Sequence, residues 1–294
     1  MTANPSRDAI LVVNAMSRRG AEQYEEARRL LEEAGVRLIE SHAVENGDDL
    51  RPTVRKAVKK AGMVIVGGGD GTISSFIGEF EGEDCVLAVL PMGTANSFAR
   101  SLGLPLELED VARVIAKGES RAIDIGSING ETFANVAAIG LSPLIADTIP
   151  DALKRWLGIF GYIVWAIRIA FSFSAFRLTI ESEGSRTVTH ASEVRIANGS
   201  FHGGVELVEE AEMDDARITV DAVTGKSMWR LALNWILVLL HLKSQKRTMI
   251  EVEAPEFWIE TDPPRDISID GEIRASTPAK VEVVPQAVRV VVPA

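Results

Sequence analysis

Residues 67–72 (GGGDGT) place three glycines, an acid, a further glycine and a hydroxyl directly after the apolar residues 63–66. Glycine permits positive φ and lets backbone N–H groups approach a ligand oxygen, and a helix that begins here presents its N-terminus to an anion. An aspartate beside a phosphate needs a cation or a hydroxyl between them, so the run indicates a nucleotide together with Mg²⁺. A purely structural turn is the alternative that these residues leave open.

A second glycine-containing loop occupies residues 91–100 (PMGTANSFAR) and follows another apolar run. Pro91 stiffens the turn, Gly93 permits a close backbone approach, and Thr94 and Asn96 add side chains that form hydrogen bonds. The patterns GxxxxGK[ST] and GxGxxG do not occur in the sequence. Phosphates would therefore be held by backbone amides and hydroxyls, without a P-loop lysine.

A third polar feature is residues 267–272 (ISIDGE), a short alternating strand that ends in Asp-Gly-Glu. By itself this pattern is typical of a surface hairpin. A carboxylate close to a nucleophile can also act as a general base at neutral pH. The residues alone favour the hairpin.

The elements that must position these loops change in character along the chain. Strands and helices alternate over residues 9–117, including helices predicted at 21–34 and 48–61, and such alternation requires parallel strands covered by helices. Both glycine loops follow strands, where an open α/β sheet binds its ligands. From Ala122 onwards, short β-branched segments separated by turns predict an antiparallel β domain. We place the boundary at Asp124, giving domains 1–124 and 125–294.

Two apolar segments interrupt the β region. Residues 156–176 are long enough to span a membrane, but Arg168 near the middle and β-like neighbours favour a helix that packs on the sheet or faces lipid. Residues 228–242 are too short and too polar to span. Trp229 and Trp235 in this second segment fit a core helix, with a membrane interface as the alternative.

Composition excludes several classes of protein. The 294 residues carry a formal charge of −11, which argues against a general nucleic-acid binder and gives no attraction to anionic lipid. Cys85 is the only cysteine, so an internal disulfide and a multi-cysteine metal site are excluded. The N-terminal residues lack the apolar core of a secretory signal, so a cytoplasmic protein is expected.

Taken together, the motifs resemble the catalytic domain of the diacylglycerol kinase, sphingosine kinase and ceramide kinase superfamily, and its bacterial soluble lipid kinases above all. GGGDGT paired with P-x-G-T-x-N-x-x-A-R carries the likeness. It extends to residues 133–135 (FAN), 154–158 (KRWLG), 212–218 (EMDDARI) and 270–272 (DGE). The resemblance implies an α/β fold: an N-terminal α/β nucleotide-binding domain, like those of NAD kinase and phosphofructokinase, and a C-terminal antiparallel β-sandwich that binds lipid.

The resemblance also implies roles for single residues. Glu272 matches the general base, and Asp270 would help to orient the hydroxyl or a water. Asp70 and Asp124 match acidic positions that hold the catalytic Mg²⁺ through water. A structural Mg²⁺ is implied at the Asp215 side chain and the carbonyls of Glu212 and Arg217. The residues implied in nucleotide binding are Asn14, Gly68, Gly69, Asp70, Gly71, Thr72, Gly93, Thr94 and Asn96. For Asp124 a strand-end cap is the alternative, and for the 212–217 segment an acidic surface turn.

The implied activity is that of an ATP- and Mg²⁺-dependent lipid kinase acting on diacylglycerol or a related lipid, within phospholipid biosynthesis. The expected partners are the lipid substrate, a transiently contacted membrane surface and a second copy of the chain, with no nucleic acid. Two alternatives stay open: a soluble small-molecule kinase of the NAD kinase type, and a nucleotide- or lipid-binding regulatory protein with impaired catalysis. Ser97, where many members carry Asp, and the altered loop 14–20 (NAMSRRG) support the latter.

Overall fold

The alternation of strands and helices predicted for residues 9–117 is present in the computed structural model of the protein. The structure describes residues 8–16, 18–141, 173–202, 205–206, 212–225 and 249–294, together with Leu144, Thr148 and Trp165. The helices whose bounds lie within the described residues are α1 (Arg18–Glu33), α2 (Gly47–Val58), α3 (Asp70–Ser74), α4 (Ser97–Ser101) and α5 (Leu108–Lys117), with a 3₁₀ helix at Ile77–Phe80. The predicted helices at 21–34 and 48–61 are thereby confirmed as α1 and α2.

The first domain is a parallel sheet in the order β2-β1-β3-β4. Its strands are β1 (Asp8–Asn14), β2 (Arg37–Val44), β3 (Met63–Gly68) and β4 (Val86–Pro91). Both faces of β1, β3 and β4 are buried, which explains the continuous apolar runs in these three strands, whereas the edge strand β2 is partly exposed. The register pairs Val13 with Gly67 and Gly68 with Pro91, so the carboxyl ends of β1, β3 and β4 lie side by side.

The second domain is built from antiparallel strands, as the short β-branched segments predict. These strands and those that join them to the first sheet are β5 (Glu119–Ile128), β6 (Glu131–Phe133), β7 (Val136–Gly140), β8 (Phe176–Ser182), β9 (Ser185–Ala197), β10 (Phe201–His202), β11 (Val205–Glu206), β12 (Ile218–Thr224), β13 (Met249–Ala254), β14 (Glu256–Asp262), β15 (Asp266–Ile269), β16 (Glu272–Ser276) and β17 (Ala279–Val292). One apolar cluster fills the space between them and includes Ile139, Ile196, Val220 and Phe257. The predicted pairing of an α/β domain with a β-sandwich is confirmed.

β17 connects the two domains. Its first half pairs antiparallel with β14 in the sandwich, and its last residues pair in parallel with β4, Arg289 opposite Val86. Val288 and Val290 enter the core of the first sheet. The end of β17 therefore stabilises the domain that carries the glycine loops. The domain boundary at Asp124 stays a prediction.

The two apolar segments lie mostly outside the described residues. Of residues 156–176, the structure describes Trp165, which is helical, and residues 173–176, of which Phe176 opens β8. Residues 228–242 lie entirely outside the described residues. Within the part of the chain that is described, no helix has both the length and the apolar character needed to cross a membrane.

Candidate active site

The GGGDGT run forms the turn between β3 and α3. Gly68 ends β3, and a Cβ added there would lie 2.4 Å from Thr72 Cγ2, so the position excludes larger residues. Asn14, at the end of β1, donates from Nδ2 to Thr72 Oγ1 at 3.0 Å. The sequence thus predicted two residues that the structure brings together from neighbouring strand ends.

The two glycine loops contact each other directly. A Cβ added to Gly93 would lie 2.5 Å from Gly69 Cα, and one added to Gly69 would lie 3.1 Å from Gly93 Cα. Asp70 strengthens this contact because its Oδ1 accepts a hydrogen bond from the Phe98 backbone N–H at 2.9 Å. Ser97, the departure from the family pattern, is buried beside Phe98 at the start of α4.

Asn96 shapes the second loop from within. It adopts a left-handed backbone with a φ of 49°, its Oδ1 accepts from the Gly93 N–H at 2.8 Å, and its Nδ2 donates to the Gly93 carbonyl at 3.0 Å. Thr94, in contrast, is exposed. The contacts of Asn96 and Thr94 with a nucleotide stay predictions.

A cavity of about 170 Å³ opens beside these loops. Its lining consists of Asn14, Met16, Gly20, Gln23, Gly68, Gly69, Thr72 and Met92. Glycine backbone, an amide and a hydroxyl on one wall fit the phosphates of a nucleotide. Gly71, at the start of α3, is exposed, and a Cβ added there meets no atom within 4 Å. Sequence reasoning did not assign four of these lining residues to the site, because neither the first turns of a helix nor a thioether side chain indicates a ligand: Met16, Gly20, Gln23 and Met92.

Asp124 has partners of its own, different from those of Asp70. Its Oδ2 accepts from the Ala216 N–H and its Oδ1 from the Gln286 N–H, both at 2.7 Å. Its backbone N–H donates to the Met213 carbonyl at 2.6 Å, and Asn198 Nδ2 donates to its carbonyl at 2.9 Å. With 1% of its surface exposed, Asp124 joins β5, the 212–217 segment and β17. Its role at a metal stays a prediction beside this structural one.

The predicted structural Mg²⁺ residues lie close together in an acidic turn. Asp215 Oδ1 accepts from the Arg217 N–H at 2.9 Å. Burial raises the pKa of the Asp215 carboxyl, and the negative charges of Asp124 and Glu212 raise it further. Such an electrostatic environment favours a bound cation. Within the described ranges, no group of three or more His, Cys, Asp or Glu side chains is arranged to hold a metal ion.

The Asp-Gly-Glu turn joins β15 and β16. Asp270 has a left-handed backbone with a φ of 46°, and its carboxylate accepts hydrogen bonds from the N–H groups of Ala134 at 2.9 Å, Val136 at 3.1 Å and Asn135 at 3.3 Å. Burial raises the pKa of the Asp270 carboxyl, and these amides oppose the rise. The predicted helper of the base therefore holds the backbone at residues 134–136.

Glu272 is exposed at the start of β16, on the edge of the sheet. Its Oε2 accepts from Arg274 Nη2 at 2.8 Å, and 64% of its side-chain surface is accessible. The carboxylate is open to an incoming hydroxyl. Its role as a general base stays a prediction.

Comparison with known families assigns both halves of the chain. The model of the diacylglycerol kinase catalytic domain matches residues 8–128. The model of the YegS C-terminal NAD kinase beta sandwich-like domain matches residues 136–292. The chain is 30% identical over 272 residues to lipid kinase YegS of Escherichia coli (strain K12), covering 90% of this chain and 89% of that protein. It is 28% identical over 289 residues to the probable lipid kinase YegS-like protein of Yersinia pestis (strain Pestoides F), covering 95% of each.

Solved structures show the same fold. A crystal structure of a diacylglycerol kinase from Bacillus anthracis str. Sterne covers 99% of this chain and 98% of its own, with a TM-score of 0.77 and 22% identity. A second crystal structure from that organism covers 99% and 96%, with a TM-score of 0.83 and 24% identity. The chain therefore belongs to the family of kinases in which the diacylglycerol kinase catalytic domain is followed by a YegS-type C-terminal β-sandwich.

Proposed function

We propose that this protein transfers the γ-phosphate of ATP to a hydroxyl of diacylglycerol or a related lipid, in a reaction that requires Mg²⁺. The contact between Gly69 and Gly93 is the observation that carries the proposal, because it holds the two glycine loops together at the carboxyl ends of β3 and β4, where an open α/β sheet binds its ligands. The YegS relatives, which are named lipid kinases, support a lipid as the acceptor.

In this proposal the nucleotide occupies the cavity beside the glycine loops. Asn14 holds the Thr72 hydroxyl in place, and Gly71 leaves room for the phosphates. Mg²⁺, when bound, would neutralise phosphate charge, and Asp70 and Asp124 are the residues proposed to hold it through water. A second Mg²⁺ at Asp215 would order the acidic turn.

Glu272 is proposed to take the proton from the lipid hydroxyl as that oxygen attacks the γ-phosphorus. A general base must reach the hydroxyl within hydrogen-bond distance and must be ionised. The exposed Glu272 carboxylate is accessible, and it forms an ion pair with Arg274 at 2.8 Å. Asp270 fixes the turn from which Glu272 projects.

Lipid is proposed to enter from the second domain, along the apolar segments at residues 156–173 and 228–242. The chain would act in the cytoplasm and contact the membrane surface transiently. Because the formal charge is −11, that contact would depend on apolar side chains. We also propose a homodimer, which sedimentation velocity would detect.

The decisive experiment is transfer of labelled γ-phosphate from ATP into a total lipid extract, with the product identified by mass. Parallel reactions contain NAD in place of lipid, or EDTA. We expect labelled lipid, no labelled NADP and no product in EDTA. Labelled NADP would instead indicate a kinase of the NAD kinase type, and nucleotide binding without any transfer would indicate a regulatory protein.

Glu272→Gln tests the base within the same assay. Glutamine removes the negative charge of the carboxylate and keeps the shape of the side chain. Because this side chain is exposed, the substitution should have little effect on folding. We expect a loss of turnover of about a hundredfold or more with an unchanged melting temperature. Turnover close to that of the wild type on the identified lipid would refute the assignment.

A further inference from the structure

Asn135 is a buried polar residue at the junction of the two domains, and the nucleotide cavity does not include it. It is 4% exposed. Its Oδ1 accepts a hydrogen bond from Ser101 Oγ, in α4, at 3.0 Å, and its Nδ2 donates to the Phe201 carbonyl in β10. Ser101 Oγ in turn accepts from the Phe201 N–H at 3.3 Å. A helix of the first domain and a strand of the second are thus joined by one side-chain pair.

The backbone of Asn135 belongs to the segment that Asp270 holds. The Asn135 N–H donates to Asp270 Oδ1 at 3.3 Å, and the amides on either side donate to the same carboxylate. Asp270 lies two residues before Glu272. Any displacement of residue 135 therefore moves the turn that carries the proposed base.

The other end of this path reaches the glycine loops. Ser101 ends α4, and α4 begins next to Phe98, whose N–H donates to Asp70 Oδ1 at 2.9 Å. Hydrogen bonds of 2.9–3.3 Å and one short helix therefore connect the GGGDGT turn to the Asp-Gly-Glu turn. Ser101 and Asn135 therefore form a link between the two halves of the candidate active site.

We propose that Ser101 and Asn135 are positioning residues for phosphoryl transfer: they hold the Glu272 turn in register with the loops that bind the nucleotide. The inference rests on the proposed function, since it assigns a purpose to the distance between Glu272 and the γ-phosphate. Transfer between two bound groups depends on alignment, and a misplacement of about 1 Å lowers the rate by about a hundredfold.

Gly199 shows how closely this junction is packed. Its N–H donates to the Asn135 carbonyl at 3.2 Å. A Cβ added to Gly199 would lie 2.3 Å from Asn135 Oδ1 and 2.9 Å from Ser101 Oγ. Gly199→Ala therefore disturbs the hydrogen bond between Ser101 and Asn135, although neither of these two residues is substituted.

The test compares wild type, Ser101→Ala and Gly199→Ala, with Ser192→Ala as the matched control. Ser192 is also buried, and its Oγ donates to the Val223 carbonyl at 3.4 Å, away from the path. Two quantities are measured: steady-state kinetics on the identified lipid, and amide hydrogen exchange of the peptide that spans residues 266–276. Exchange does not require activity, so it tests the coupling even if the wild type transfers no phosphate.

We expect Ser101→Ala and Gly199→Ala to lower kcat by about tenfold to a hundredfold while the KM for ATP stays within about twofold of the wild type. Exchange in residues 266–276 should accelerate by roughly tenfold in both variants and stay unchanged in Ser192→Ala. If Ser101 and Asn135 had only a structural role, the substitutions would lower stability but would not lower kcat while leaving the KM for ATP unchanged.

The result that overturns the inference is wild-type exchange in residues 266–276 of both variants, whatever their kinetics. Accelerated exchange with a wild-type kcat also overturns it, because the turn would then move without affecting transfer. If the wild type itself phosphorylates no lipid, the proposed function fails, whereas unchanged exchange in an active enzyme removes only the positioning role.

Discussion

Gly71→Ala should make the protein more stable and less able to bind ATP. Gly71 is the second residue of α3, its φ is not in the left-handed region, and an added Cβ meets no atom within 4 Å. Replacing a helical glycine by alanine stabilises by about 0.5–1 kcal/mol. For a chain of 294 residues this corresponds to a rise in Tm of roughly 1–1.5 °C.

The loss of ATP binding follows from the same open space. In the proposed function, phosphate oxygens occupy the space in front of Gly71 and accept hydrogen bonds from backbone N–H groups. A methyl group there separates donor from acceptor, and a hydrogen bond to a charged group contributes about 1.5–3 kcal/mol. We therefore expect the Kd for ATP with Mg²⁺, measured by titration calorimetry, to rise by about tenfold to a hundredfold.

Gly184→Ala is the matched control, because Gly184 is equally open but lies in the β8–β9 turn with a φ of 79°. Alanine in that conformation is strained by about 1 kcal/mol, so Tm should fall while the Kd for ATP stays unchanged. The two variants are therefore expected to shift Tm in opposite directions, and only Gly71→Ala should change the Kd for ATP. A wild-type Kd in Gly71→Ala would refute our placement of the phosphates.

Three further predictions concern stability. Arg51 and Arg55 each donate to Glu79 at 2.6 Å and lower the pKa of this carboxyl to about 2, so Glu79→Gln should lose about 1–2 kcal/mol in urea at pH 7. Because the pKa is depressed, that difference should be complete above about pH 4.5 and vanish as pH falls towards 2. In the absence of nucleotide, Asp124→Asn should lose about 1–3 kcal/mol of unfolding free energy, equally with and without EDTA, because a buried backbone N–H loses its acceptor. Ala216→Gly should gain about 0.5 kcal/mol in urea, because glycine adopts the φ of 58° without strain and keeps the N–H that Asp124 binds.

Each of these three stability predictions has a result that would contradict it. An equal loss in Glu79→Gln at pH 7 and pH 3 would mean that packing, not charge, stabilises the link between α2 and the 3₁₀ helix. A loss in Asp124→Asn that disappears in EDTA would assign the stabilisation to a bound metal. A lower urea midpoint in Ala216→Gly would mean that the flexibility of the unfolded glycine chain outweighs the relief of strain.

The first sheet was predictable because three of its strands, β1, β3 and β4, are buried on both faces. Such strands appear as continuous apolar runs, and the loops that follow them must meet at one edge. The hydrogen bond from Asn14 to Thr72 is the direct consequence, although 58 residues separate the partners. The path of β17 was not predictable: alternation indicates a strand, but no local signal shows that residues 289 and 290 return to pair with β4.

The sequence predicted which polar residues lie at the site better than it predicted what those residues contact. The family resemblance assigned Asp124 to a metal site and Asp270 to catalysis. In the structure the two carboxylates accept hydrogen bonds from five backbone amides. Whether a carboxylate binds an amide or a cation depends on which loop the fold brings to it, and that is a long-range property that no sequence pattern records.

Most of the left-handed backbone outside glycine lies beside the motif residues. Of the six such residues in the described chain, Asn129 and Glu183 lie in tight turns between strands, and the other four are Asn96, Ala216, Asp270 and Gln286. Each is fixed by a side chain named above: Asn96 by its own amide, Asp270 by its own carboxylate, and the other two by Asp124. Left-handed conformations cost about 1–2 kcal/mol each and persist only where hydrogen bonds offset them. The side chains that fix these four residues are those of Asn96, Asp124 and Asp270, and all three belong to the motifs assigned to phosphoryl transfer. The residues that form the site therefore also hold its strained backbone. Substitutions at Asp124 or Asp270 will therefore change stability and activity together, whereas Glu272, which is exposed and holds no strained residue, separates the two.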